Sequence, residues 1–72
     1  MDKKYPLLRP NEIISALTKI GFSFVRQKGS HAKYSNGHKT VVIPMHDMVA
    51  QGTLKSILLQ AGLKLDDFLR LL

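Results

Sequence analysis

A chain of 72 residues, 44% of them apolar, has the composition of a folded domain but room for only one small core. A domain of this size buries only about 60% of the surface its unfolded chain exposes. There is no cysteine, which excludes disulfides and thiolate metal sites, and no apolar run approaches the roughly 20 residues that span a bilayer. Eleven Lys and Arg against five Asp and Glu leave a formal charge of +6, a field that attracts phosphate backbones or anionic surfaces.

The first ten residues, MDKKYPLLRP, hold an early acid and two prolines rather than a long apolar stretch. They predict no secretory leader, and hence a cytoplasmic protein made of one domain over residues 1–72. In PNEIISALTKI, residues 10–20, Ile13, Ala16, Leu17 and Ile20 repeat at helical spacing and form one apolar stripe. Pro10 suits the first helical position, Glu12 the positive end of the helix dipole, and Gly21 the stop.

From Phe22 the period changes to two. Strands are predicted over about 22–27, 30–35 and 39–43, joined by tight turns at Lys28-Gly29 and Asn36-Gly37; Asn-Gly is the strongest short hairpin signal. Taken as two-residue loops, these turns set Arg26 opposite His31, Val25 opposite Ala32, and Phe24 opposite Lys33. On the other side of the second strand, His31 faces Val42, Ala32 faces Val41, and Lys33 faces Thr40. One face then gathers Val25, Ala32, Tyr34, Val41 and Ile43 as core. The other gathers Arg26, His31, Lys33 and Thr40, with Phe24 and Val42 among them. A slip of one residue would exchange the two faces.

Pro44 ends the third strand, and MHDMVAQG is expected to be a loop. Thr53 is the expected N-cap of a second helix whose stripe is Leu54, Ile57, Leu58 and Ala61 and whose stop is Gly62. A short last helix, about 65–71, carries Leu65, Phe68, Leu69 and Leu72, with Asp66 and Asp67 in its first turn. The order α-β-β-β-α-α predicts an α+β domain with helices packed on one face of a small three-stranded antiparallel sheet.

The cations Arg26, Lys28, Lys33 and Lys39 crowd into residues 26–39, and His31 stands among them. The histidines, His31, His38 and His46, lack the spacing of zinc ligands, and no cofactor is expected. A serine triad is equally poorly served, because Ser30 adjoins His31 and neighbours on a strand point to opposite faces; Ser30 suits the turn or a phosphate contact. One histidine with several cations is enough to cleave RNA. The 2′-hydroxyl is a built-in nucleophile, imidazole exchanges protons near neutral pH, and Arg and Lys stabilise charge on the phosphoryl oxygens. On these residues alone, a ribonuclease and a plain nucleic-acid binder are equally served.

The runs GFSFVRQKGSHAKY, VVIPMHD and QGTLKSILLQAGL, followed by DDFLRLL, together resemble the HicA family of toxins from HicA–HicB toxin–antitoxin modules. The resemblance extends from about Arg9 to Leu72. It implies a fold like the double-stranded RNA-binding domain and a metal-independent mRNA interferase, an endoribonuclease acting on mRNA. His31 matches the family's catalytic histidine, Gly29 and Ser30 match the rest of its G-S-H element, and His46 matches the histidine after the proline. Arg26, Lys28, Gly29, Ser30, Lys33, Lys39 and His46 are the expected RNA contacts. Phe22 stands where tryptophan or phenylalanine is usual, and Arg9 stands at the cap position where Ser or Thr is common. The implied partners are mRNA and a HicB-like antitoxin covering the His31 face. The alternative is a non-catalytic module that binds double-stranded RNA through the same cations. No membrane partner is expected, for want of a spanning apolar run, and DNA is not expected, since no basic recognition helix is evident.

Overall fold

The computed structural model describes residues 4–72. Its first helix, α1 (Pro10–Thr18), starts on Pro10, whose missing N–H would have no partner at that position anyway. Arg9 occupies the N-cap with extended backbone. A guanidinium has no acceptor to offer the helix, so only half of a capping box forms: Glu12 Oε1 accepts from the Arg9 N–H at 2.9 Å. Ile13, Ala16 and Leu17 are buried as expected, but Ile20 is 38% exposed. The helix ends before it, and the Phe22 N–H folds back onto the Leu17 carbonyl at 3.2 Å. Phe22, rather than Ile20, enters the core from this end.

Three strands follow: β1 (Ser23–Lys28), β2 (His31–Ser35) and β3 (Thr40–Pro44), an antiparallel meander with β2 in the middle. Next to their turns, both hairpins are displaced by two residues from the expected register. Lys28, not Arg26, pairs with His31, because the two-residue turn is Gly29-Ser30. Gly29 takes the left-handed φ of 59° that this turn demands. In the second hairpin Ser35 pairs with Thr40, and His31 lies opposite Pro44. That loop has four residues because the Asn36 side chain organises it: its Oδ1 accepts from the His38 N–H at 2.9 Å and from the Lys39 N–H at 2.7 Å.

A shift of two leaves each β2 and β3 side chain on its expected face. Ala32, Val41 and Ile43 are fully buried, and Tyr34 packs against the core. Val25 is the exception, at 50% exposure. A bulge between Phe24 and Arg26 leaves it unpaired and sets Phe24 opposite Tyr34. The two rings meet edge to face with centroids 5.6 Å apart, so Phe24 does not join the cations as expected.

The chain then forms α2 (Gln51–Ala61) and α3 (Leu65–Leu69). The second helix begins ahead of Thr53, with Ala50 as its N-cap. Long-range contacts fix this start: Val49 N–H donates to the Leu8 carbonyl at 2.7 Å, and the Gln51 side-chain amide donates to the Tyr5 carbonyl. Leu54, Ile57, Leu58 and Ala61 are buried, and Gly62 ends the helix in the left-handed conformation. The last helix is shorter than expected. Phe68 is its buried anchor, while Leu72 lies beyond it, 51% exposed. The helices and one face of the sheet share one core. This is the expected α+β architecture, like that of the double-stranded RNA-binding domain.

Candidate nucleic-acid interface

The face of the sheet turned away from the helices carries the polar chemistry. Lys28, His31 and Pro44 form one cross-strand row, and Arg26, Lys33 and Val42 form the next. His31, Arg26 and Lys28 are exposed and Lys33 is half-buried. Directly opposed side chains in such rows stand about 4.5–5.5 Å apart at Cβ. Lys28 is therefore the cation nearest His31 across the ladder, with Lys33 two residues along the same strand.

A backbone bond ties the Gly29-Ser30 turn to the loop after β3. The Met45 N–H donates to the Ser30 carbonyl at 2.6 Å, which carries the chain past the turn and places His46 one residue further on. His46 is exposed and lines a shallow depression of about 230 Å³ with Arg9, Pro10, Asn11, Met45 and Asp47. The structure thus gathers Arg26, Lys28, Gly29, Ser30, His31 and Lys33 on one edge-to-centre strip, with His46 one residue beyond the Met45–Ser30 bond and lining the depression instead.

Lys39 is not part of that group. It follows Ser35, the far end of β2 from His31, roughly 13 Å away at the ordinary rise of a strand. Its ammonium instead sits about 4.0 Å from where a side chain on Gly62 would begin, beside the C-terminus of α2, where a cation is favoured. His38 is exposed in the same distant loop. Among the described residues no three His, Cys, Asp or Glu side chains converge as metal ligands.

Sequence reasoning did not single out Asn11 or Asp47, and treated Arg9 only as a helix cap. Asp47 adjoins His46 in the chain, which was a usable signal; its left-handed φ of 40° shows only in the fold. Nothing in the sequence links it to residues 9–11; the antiparallel Leu8–Val49 bridge brings those segments together.

The sheet face can bind phosphates through Arg and Lys and can exchange a proton through an exposed imidazole. No curated protein matches the chain. A family model described as the HicA toxin of bacterial toxin–antitoxin systems matches residues 10–63, a span that holds α1, the whole sheet, His31, His46 and α2. With well over half its length matched in this way, the chain belongs to the HicA toxin family.

Proposed function

We propose that this toxin is a metal-independent endoribonuclease that cleaves mRNA and so inhibits translation in the cytoplasm. The RNA 2′-hydroxyl loses its proton and attacks the adjacent phosphorus, the bond to the 5′-oxygen breaks, and that oxygen gains a proton. The products are a 2′,3′-cyclic phosphate and a 5′-hydroxyl. His31 is the general acid/base, and Lys28, Arg26 and Lys33 neutralise the charge on the phosphoryl oxygens. A HicB-like antitoxin holds the protein inactive by covering this face.

One observation carries the proposal. His31 is exposed at the head of a central strand, and its cross-strand neighbour is a lysine. A module that only binds RNA needs cations there but no group that exchanges protons at neutral pH. The test uses pure protein, a labelled single-stranded RNA and EDTA. Fragments ending in 2′,3′-cyclic phosphate or 3′-phosphate are expected, and the same oligonucleotide with a 2′-deoxy sugar at the cut should survive. Intact RNA that is nonetheless bound would leave the double-stranded RNA-binding module in its place.

A further inference from the structure

The depression between the start of α1 and the loop after β3 offers more than charge. Arg9, Asn11, His46 and Asp47 supply a guanidinium, an amide, an imidazole and a carboxylate around about 230 Å³. That is below the roughly 300–1,000 Å³ of pockets that enclose drug-sized ligands, and suits a single planar base. Its walls come from two segments that are fixed to each other, since Val49 N–H bonds to the Leu8 carbonyl at 2.7 Å. Met45, on the same loop, bonds directly to the turn that precedes His31. Asp47 is held at φ 40°, a conformation that non-glycine residues adopt at a cost and that is concentrated in ligand-holding segments.

We infer that this depression is the subsite for the nucleotide next to the scissile phosphate, and that it selects guanine. The inference deepens the ribonuclease proposal and rests on it for the position of the cut. The Asp47 carboxylate is an acceptor only. Guanine presents two adjacent N–H donors, N1 and N2, on its Watson–Crick edge, and a carboxylate takes both. Cytosine and adenine offer one amino group beside a ring acceptor, and uracil offers one N–H between two carbonyls, so each sets an acceptor against the carboxylate. Arg9 and His46 are left to meet O6 and the adjoining phosphate, and the Asn11 amide adds a second polar wall. Single-stranded RNA, whose bases splay out of any stack, is the form read in this way.

The experiment separates binding from cleavage. Short single-stranded RNAs that differ at one position are titrated against His31→Ala protein, and ends produced by the unmodified protein from a mixed-sequence RNA are sequenced. A guanine preference of about fivefold or more is expected, the lower end for a bidentate base contact, and Asp47→Asn should abolish it. Asparagine tolerates the left-handed conformation, so the loop keeps its shape, which melting curves check. Asn11→Ala, which leaves the loop untouched, should weaken the preference in part. A protein without base preference overturns the inference, as does a preference that survives in Asp47→Asn. Guanine-selective binding without any cleavage would instead remove the ribonuclease proposal and leave the subsite standing.

Discussion

The His31 imidazole lies outside the core, at the first position of β2, so removing it opens no cavity. His31→Ala should change stability by no more than about 0.5 kcal/mol, the usual range for a surface position. It should keep most RNA affinity, because Arg26, Lys28 and Lys33 remain. Cleavage should fall by roughly 10² or more, the contribution of a positioned acid–base group. His38→Ala, in the distant loop, should cut as the unmodified protein does. A folded His31→Ala protein that cuts at the full rate would end the catalytic assignment. The cations beside it carry a cost of their own, because Arg26 and Lys33 are direct cross-strand partners and like charges so placed repel. Lys33→Gln should therefore melt no earlier than the unmodified protein. Its RNA affinity should depend less on salt, with a slope smaller by about 0.7 for each phosphate that the variant no longer neutralises. An unchanged slope would take Lys33 off the phosphate path.

Among the elements, β1 is the least secured, since none of its six residues is buried. It is held by the β2 ladder and by the Phe24–Tyr34 ring pair, an arrangement worth about 0.5–1.5 kcal/mol beyond its buried area. Phe24→Ala should therefore lower stability by about 1 kcal/mol and speed amide exchange in β1 well before α2. Equal protection in the two elements would show that β1 is anchored otherwise. Helices and strands differed in how legible they were. The stripe Leu54, Ile57, Leu58 and Ala61 can be read because a period of 3.6 is itself a statement about burial. Strand register is not local in this way. The Asn-Gly pair signals a hairpin, but the Asn36 side chain bonds two backbone N–H groups at once and stabilises a longer loop. The bulge at Val25 leaves no mark in FSFVRQK, and Thr53 loses the N-cap to contacts with residues 5 and 8. Because both register shifts are even, the grouping of His31 with Arg26 and Lys33 is legible despite them. The closeness of Arg9 and Asn11 to Asp47 is not, since only the folded chain joins them.

Across the whole molecule, charge and cover are divided between the two faces of the sheet. The helices take one face, and their acids are used locally: Glu12 caps α1, and Asp67 lies 3.5 Å from Arg70 on α3. The other face presents Arg26, Lys28, Lys33 and His31, with no element of the described chain packed over it. On the proposed function, two polyanions would compete for this face: RNA and the acidic surface expected of the antitoxin. Competition for one surface makes a sharper prediction than inhibition alone. The HicB-like antitoxin should associate fast at low salt and more slowly as salt rises, as electrostatically steered pairs do. The toxin should lose RNA binding in the complex. Reversing one charge, Lys28→Glu, should weaken antitoxin and RNA together if, as proposed, both bind over the same ammonium. Fluorescence anisotropy with labelled RNA, in the presence and absence of antitoxin, measures each affinity. If RNA affinity is unaltered in the complex, or if Lys28→Glu loses RNA while keeping the antitoxin at full strength, the two ligands occupy different surfaces and inhibition must act from elsewhere on the fold.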